Sequence, residues 1–286
     1  FIKSKSLIKN NESITESIQS ISNLNNFFNK MYTGIISIGH PNKQYFYNMV
    51  FDTGSSDIWV MQQNSINIPN EKYLNYFNPT ISSSFISYKN NKWDITYGTG
   101  SANGYIGTDT IIIGNKISKK QVFAIATNIN DMSMNSLEPQ DGIVGFARRD
   151  AMSKSLLNIN NNNKYTLMES ININGQNDNG TFSFYLSKHD NINSKLIIGD
   201  LPHESLYNGN IYWIPVVNTN YNVNGLWSIK LNEFIIQDKQ FNINENELQY
   251  AIIDTGTSYI GIPSSKYTII MNYITKNRPD CYKETN

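Results

Sequence analysis

The sequence predicts a mostly β protein in which two acidic residues occupy closely similar turns. Residues 52–55 read Asp-Thr-Gly-Ser after the apolar run 49–51, and residues 254–257 read Asp-Thr-Gly-Thr after the apolar run 251–253. In each case a buried-strand pattern ends in an acid and a turn of small residues. At 286 residues and 39% hydrophobic, the chain is long enough for two lobes of ordinary domain size, each with its own core.

The composition argues against several kinds of partner and cofactor. The formal net charge is zero, so no electrostatic attraction favours a nucleic acid or an anionic membrane. Polar residues interrupt every apolar run before it reaches the length of a membrane span. The single cysteine, Cys281, excludes an internal disulfide. Because His40, His189 and His203 lack metal-ligand spacing, we expect surface histidines and neither a metal nor another cofactor.

The chain begins with a polar leader. Residues 1–22 carry lysines and then glutamates without strand alternation, and a solvated leader is the simplest interpretation. Residues 1–5 lack the apolar stretch of a signal peptide, so we expect any targeting segment upstream. We predict a first lobe at residues 23–187 and a second at residues 188–286, because the boundary between them is polar.

Strand-like runs cover much of the first half of the chain. Residues 31–39 and 45–51 are two β-rich runs, and the second leads into Asp52. Residues 93–97 and 104–113 are a further pair around a Gly-x-Gly turn and predict a β-hairpin. A hairpin so rich in glycine suits a lid over a cleft. Without the two acids, a surface hairpin with no function would be the simpler interpretation.

The rest of the chain predicts short strands joined by loops. Residues 151–166 include four consecutive asparagines and predict a loop. The apolar or alternating runs are residues 139–146, 181–186, 195–200, 211–216 and 225–230. The last of these runs leads toward Asp254.

These features together resemble the pepsin-like aspartic proteases, in which each of two related lobes contributes one such loop. One tetrapeptide alone would fit an ordinary turn after a strand, but two copies with matching flanks are typical of the family. The segments that carry the resemblance follow the family's order: residues 51–60, 97–101, 141–146 and 251–258. The resemblance implies an all-β, bilobal fold with a substrate cleft between the lobes and a β-hairpin flap. It also implies an endopeptidase that works at acidic pH.

The resemblance assigns roles to individual residues. Asp52 and Asp254 would share one proton and activate a water by general acid–base catalysis, and the aspartic proteases are the standard example of that sharing. Trp59 would stand beside the flap tyrosine, although a core aromatic fits the sequence equally well. Hydroxyls that support the acids would come from Thr53, Ser55, Thr255 and Thr257. Substrate would contact Gly54, Tyr97, Gly98, Thr99, Ile143, Gly256 and Ser258.

The family also implies partners and a location. The partners would be a protein or peptide substrate and the chain's own propeptide, whose tail would be residues 1–22. The location would be the secretory pathway, an acidic vesicle or vacuole, or the exterior. A composition rich in asparagine, isoleucine, lysine and tyrosine suggests an AT-rich genome. Together with the motifs, it makes the plasmepsins of malaria parasites the subgroup that the chain most resembles.

The sequence departs from the family at three places. The small disulfide loop after the first motif is absent, and Gln140 stands where an aromatic residue is common. Residues 143–145 would brace the loop of Asp52, but no segment of two apolar residues and a glycine follows Asp254. We therefore expect the C-terminal part of the second lobe to be missing.

Two other classes of protein fit the sequence less well than a protease of this family. A non-catalytic peptide- or protein-binding protein on the same fold would not need to keep both acids and Tyr97. A serine or cysteine hydrolase has little support, because no Gly-x-Ser-x-Gly elbow is present and Cys281 has no nearby histidine. The sequence therefore favours the aspartic endopeptidase.

Overall fold

A computed structural model describes residues 20–65, 68, 71–98, 100–130, 138–159, 164–173, 180–189, 193–217, 224–241 and 250–276. Within these ranges the chain forms fourteen β-strands and three α-helices. The strands are β1 (Ser20–Phe27), β2 (Met31–Ile38), β3 (Gln44–Asp52), β4 (Ile58–Met61), β5 (Ile86–Tyr97), β6 (Gly100–Ile113), β7 (Lys116–Asn130), β8 (Gly142–Gly145), β9 (Phe182–Tyr185), β10 (Ser194–Ile198), β11 (Ser228–Lys230), β12 (Phe234–Ile236), β13 (Lys239–Phe241) and β14 (Tyr250–Ile252). The helices are α1 (Lys154–Leu157), α2 (Leu167–Ile173) and α3 (Ser264–Thr275).

Ten of the described strands form one mixed sheet, in the order β5-β6-β7-β4-β8-β3-β2-β1-β10-β9. Because β6 also pairs with β2, the strands from β6 round to β2 close into a barrel. Apolar residues fill its core, since alternate side chains of a strand point to the same face. Among the most buried are Ile36, Phe46, Phe77, Phe123 and Val144, each at most 1% exposed.

The short strand β8 lies in the middle of this sheet. It runs parallel to β3, with Asp52 opposite Gly145, and antiparallel to β4, with Trp59 opposite Ile143. All four of its residues are buried, which explains why its sequence is continuously apolar or small. The short strand predicted within residues 139–146 is therefore present.

The predicted hairpin is formed by β5 and β6. The two strands pair antiparallel as far as Tyr97 and Gly100. Along β5 the residues Trp93, Ile95 and Tyr97 are more buried than those between them, as expected for a strand with one face toward the core. This period of two carries Tyr97 to the same face as the buried Trp93.

The sheet continues across the predicted lobe boundary. Strand β1 pairs with β2 on one side and with β10 on the other, and β10 pairs with β9. The boundary at residues 187 and 188 therefore falls in the connection between β9 and β10. Strand β1 begins at Ser20, opposite Ile198, within the residues assigned to the leader. Both boundaries stay predictions.

The loop predicted at residues 151–166 is partly helical, and that prediction was wrong there. Helix α1 spans Lys154–Leu157, and the Ser153 side chain accepts a hydrogen bond from Leu156 N at 3.4 Å. Leu156 is fully buried, so one apolar anchor and a serine cap outweigh the polar composition. The asparagines at 160–163 lie outside the described residues.

The remaining strands form two small antiparallel pairs, β11 with β14 and β12 with β13. The apolar run at residues 211–216 makes only one isolated bridge, between Val216 and Ile229. Tyr212, Trp213 and Ile214 of this run are exposed. None of the helices in the described ranges has the length and hydrophobicity that crossing a membrane requires.

Candidate active site

The two Asp-Thr-Gly loops have the same internal hydrogen bonds. Oδ1 of Asp52 accepts from Gly54 N and Oδ1 of Asp254 accepts from Gly256 N, both at 2.8 Å. The other oxygen of each acid accepts from a hydroxyl three residues on, Ser55 for Asp52 and Thr257, at 2.6 Å, for Asp254. Two acids far apart in sequence therefore have equivalent partners, as their tetrapeptides predict.

Two threonines join the loops to one another. Thr53 N donates to Oγ1 of Thr255 at 3.1 Å, and Thr255 N donates to Oγ1 of Thr53 at 2.9 Å. Each hydroxyl also donates to a carbonyl of the opposite segment, Thr53 to Ile253 O at 2.7 Å and Thr255 to Phe51 O at 2.6 Å. Each bond is worth about 1 kcal/mol net, and the reciprocal set fixes the loops in register.

The glycines bring the two carboxyl groups face to face. A Cβ on Gly54 would lie 2.6 Å from Cγ of Asp254, and a Cβ on Gly256 would lie 2.7 Å from Cγ of Asp52. Any larger residue at either position would therefore collide with the opposite acid. The sequence predicted that these glycines contact the substrate. It did not predict that each one faces the opposite acid, because that contact joins segments far apart in the chain.

Strand β8 braces the first loop from behind. Phe146 N donates to Asp52 O at 2.6 Å, and Ala147 N donates to Ser55 O at 2.8 Å. Gly145 packs so closely on Ser55 and Ser56 that a Cβ there would lie 2.6 Å from Ser55 O. Asp52 is consequently only 5% exposed.

Burial raises the pKa of Asp52 to about 7. The charge of Asp254 and a hydrogen bond with it add to the rise, while the hydrogen bonds from Ser55 and Gly54 N lower the pKa in part. Both effects are physical expectations for a desolvated carboxyl beside a second acid. Asp52 can therefore retain a proton well above the ordinary range of an aspartic acid.

Tyr97 reaches toward this site from the hairpin. Its hydroxyl accepts a hydrogen bond from Trp59 Nε1 at 2.9 Å, and burial raises the pKa of that hydroxyl well above its ordinary value. Trp59 is fully buried, so it is a core aromatic residue as well as a neighbour of Tyr97. Gly98 is exposed at the turn, and Thr99 lies outside the described residues. Ile143 lies against Trp59 in the sheet.

The second loop is more exposed than the sequence predicts. The apolar run that contains Ile252 and Ile253 predicts a buried strand, but these two side chains are 43% and 46% exposed. Asp254 is half-buried, and Gly256, Thr257 and Ser258 are exposed. The physical reason is that β14 has a neighbouring strand on one side only, β11, among the described residues, so no described strand covers its other edge.

Several residues around the site were not singled out from the sequence. Asp57 and Trp93 are buried and joined by a hydrogen bond of 2.8 Å from the indole N–H to the carboxylate. Trp227 Nε1 donates to Phe146 O at 2.9 Å, which attaches residues 225–227 behind the first loop. The alternation of β5 could have marked Trp93, but nothing local marks its partner.

No metal site is apparent in the described part of the chain, where no group of three or more His, Cys, Asp or Glu side chains could hold an ion. His40, His189 and His203 are exposed, as predicted. The site is built from carboxyl, hydroxyl and backbone N–H groups, which suit proton transfer and hydrogen bonding to a substrate. That no cofactor takes part stays a prediction.

Comparison with known proteins identifies the family. The family model described as eukaryotic aspartyl protease matches residues 31–282. Pepsin A from Bos taurus is 31% identical over 253 residues, which are 88% of this chain and 62% of that protein. Pepsin-3 from Oryctolagus cuniculus is 32% identical over 253 residues, 88% of this chain and 59% of that protein. Pepsin A from Sus scrofa is 32% identical over 251 residues, 88% of this chain and 60% of that protein.

The chain thus spans about 60% of the length of these relatives. The family match and the large mixed sheet confirm the predicted all-β, pepsin-like fold. The chain belongs to the eukaryotic aspartyl protease family.

Proposed function

We propose that this chain carries the catalytic residues of an aspartic endopeptidase, with Asp52 and Asp254 as the two acids. The observation that carries the proposal is the reciprocal fit of the loops, in which each glycine leaves room for the carboxyl group of the other loop. Two carboxylates this close cannot both ionise without a large cost, so the pair holds one proton over a wide range of pH.

The shared proton gives the pair two complementary functions. The ionised carboxylate takes a proton from a bound water, whose oxygen attacks the peptide carbonyl carbon, while the protonated acid donates to the carbonyl oxygen. The tetrahedral intermediate then collapses as a proton passes to the amide nitrogen and the C–N bond breaks. The raised pKa of Asp52, about 7, supports a proton held by the pair at acidic and near-neutral pH, and hence an acidic optimum.

Neighbouring hydroxyls keep the acids in place. Ser55 and Thr257 donate to the oxygen of each acid that does not accept from a glycine N–H, which favours the ionised form. Thr53 and Thr255 hold the loops in register. Catalysis is sensitive to misplacement of about an ångström, so we assign all four residues to support of the pair.

The substrate would lie as an extended strand over the two acids, with alternate side chains in pockets of the cleft. The flap formed by β5 and β6 would close on it, with Tyr97 covering the reacting bond and Gly98 and Thr99 donating to its backbone. Ile143 would lie on the wall of the pocket for the residue before the cleaved bond, and Ser258 would contact the substrate from the second loop. The partner is thus a protein or peptide.

Finer assignments follow from family resemblance. The propeptide tail at residues 1–22 would inhibit the site, with a lysine paired to the two acids. The enzyme would act in the secretory pathway, an acidic vesicle or vacuole, or outside the cell. Composition supports a plasmepsin-like subgroup. Each of these assignments is open to test with the natural protein in its cell.

The test is replacement of either acid. Asp52→Asn and Asp254→Asn in the full-length enzyme keep the shape of the side chain but remove the titrating group, so cleavage of a fluorogenic peptide at acid pH should fall by at least about a thousandfold. Asp109→Asn is the matched control, because Asp109 is also buried, at 1% exposure, but lies on β6 and accepts hydrogen bonds from Ser84 and Thr110.

Binding of a statine-type peptide should persist in both acid variants, which shows that the cleft is intact. Cleavage at near wild-type rate by either variant would contradict the mechanism. Peptide binding without cleavage by the wild-type enzyme would instead favour a non-catalytic binding protein.

A further inference from the structure

A further buried carboxylate lies on the segment that directly follows the first Asp-Thr-Gly loop. Asp57 follows the first loop, between β3 and β4, and is 1% exposed. Its Oδ2 accepts from Trp93 Nε1 at 2.8 Å, and its Oδ1 accepts from Ser153 N at 2.9 Å. No ion pair to Asp57 is found in the described ranges, so these N–H donors take the place of a cation.

Trp93 connects this carboxylate to the flap. It lies on β5 four residues before Tyr97, and its ring packs on that of Trp59, with centroids 6.3 Å apart and planes at 41°. Trp59 Nε1 in turn donates to the Tyr97 hydroxyl at 2.9 Å. Both tryptophans are at most 1% exposed, so each ring has little freedom to move alone.

We propose that Asp57 is a positioning residue that sets the orientation of Tyr97 through Trp93 and Trp59. Its effect on catalysis rests on the proposed function, whereas its effect on the position of Tyr97 does not. Asp57 also lies on the same segment as Asp52. Its hydrogen bond with Trp93 therefore connects the loop of the first acid to the β5–β6 hairpin.

The chemistry of the side chain makes the proposal testable. A carboxylate accepts a hydrogen bond at each oxygen, but a carboxamide accepts at one end only and donates at the other. In Asp57→Asn, either Trp93 Nε1 or Ser153 N must therefore face an NH₂ group. The lost bond should let the Trp93 ring shift, and with it Trp59 and the hydroxyl of Tyr97.

The first measurement needs no catalysis. Indole N–H signals of ¹⁵N-labelled enzyme, assigned by Trp→Phe variants, show the hydrogen bond of each tryptophan. In Asp57→Asn the signals of both Trp93 and Trp59 should shift, although the indole that donates to Asp57 is that of Trp93. In Asp109→Asn, where an equally buried aspartate accepts from Ser84 and Thr110, neither signal should move. An unmoved Trp59 signal in folded Asp57→Asn would overturn the proposal.

The second measurement is a double-mutant cycle on kcat/KM. Asp57→Asn should lower kcat/KM by about tenfold, and it should add almost nothing in the background of Tyr97→Phe, because the hydroxyl that it positions is then absent. Trp93→Phe, which keeps a ring but removes the donor to Asp57, should behave in the same way and serves if Asp57→Asn does not fold.

Equal losses in the wild-type and Tyr97→Phe backgrounds would mean that Asp57 acts only on stability, and would reject the proposal. If the wild-type enzyme does not cleave peptides at all, the proposed function fails, and the Trp59 signal still decides whether Asp57 positions Tyr97.

Discussion

At the scale of single residues, each acid has two kinds of partner. Its own tetrapeptide supplies a glycine N–H and a hydroxyl, and these partners are the same for Asp52 and Asp254. The other partner is the acid of the opposite loop, which fits into the space above each glycine because the threonines join the two loops. The local partners favour the ionised form of an acid, whereas burial and the second acid favour the protonated form. The balance between these effects determines how readily the pair holds its proton.

The raised pKa of Asp52 predicts how stability changes with pH. Because its pKa rises from 3.8 to about 7 on folding, the folded state holds its proton more tightly, and the resulting stability is complete below pH 3.8 and is lost as pH rises through 7. The difference is at most about 4 kcal/mol. Asp52→Asn does not titrate, so its Tm should exceed that of the wild type by a margin that grows from pH 4 to pH 7.

The measurement is thermal unfolding of both proteins at intervals between pH 4 and pH 7. Asp200→Asn, at an exposed aspartate just after β10, is the control and should follow the wild type. Parallel curves for Asp52→Asn and the wild type would contradict a raised pKa at this position.

Replacement of Thr255 by valine tests the junction between the loops. The valine removes the donor to Phe51 O and the acceptor for Thr53 N, so unfolding should become easier by about 2 kcal/mol, with kcat/KM lowered at least about tenfold. Thr255→Ser keeps the hydroxyl and should retain most of the activity. Equal losses in the two variants would mean that keeping the hydroxyl is not enough, and would contradict a junction that depends on these hydrogen bonds.

At the scale of elements, the position of Tyr97 at the end of β5 predicts separate roles for its ring and its hydroxyl. Tyr97→Ala removes both and should lower kcat/KM by about a hundredfold, because the lid no longer excludes water from the cleft. Tyr97→Phe keeps the ring and loses only the bond from Trp59, so its loss should be smaller. Stopped-flow cleavage of several peptides measures both variants. Wild-type kinetics for Tyr97→Ala would show that this hairpin does not act as a lid.

The sequence predicted those elements in which apolar residues form a run or alternate regularly and a turn residue marks the end. Strands β2, β3 and β8 and the β5–β6 hairpin follow apolar runs that end at glycine or at a polar turn. Helix α1 was missed, since its four residues, of which only Leu156 is buried, are too few to show a helical period. The exposure of Ile252 and Ile253 was also missed, because burial depends on a neighbouring strand and not on the hydrophobicity of the residues themselves.

At the scale of the whole molecule, the two halves of the site are supported unequally. The first loop is backed by β8 and closed by two hydrogen bonds to the main chain of residues 52–55. The second loop follows β14, which pairs with β11 alone among the described strands. The equivalence of the tetrapeptides therefore does not extend to their surroundings, and the threonine junction is the principal restraint that the second loop receives from the first.

This difference predicts that added chain will raise activity. The relatives are longer, since this chain covers 62% of Pepsin A from Bos taurus. A strand placed against the edge of β14 that no described strand covers would reduce the exposure of Ile252 and Ile253. We expect a form extended at its C-terminus to cleave one fluorogenic peptide at acid pH at least about tenfold faster per molecule than residues 1–286. Titration with a statine-type inhibitor separates the fraction of competent sites from their rate. The same extension carrying Asp254→Asn should be inactive, and equal specific activity of the two lengths would mean that the second loop needs no further support.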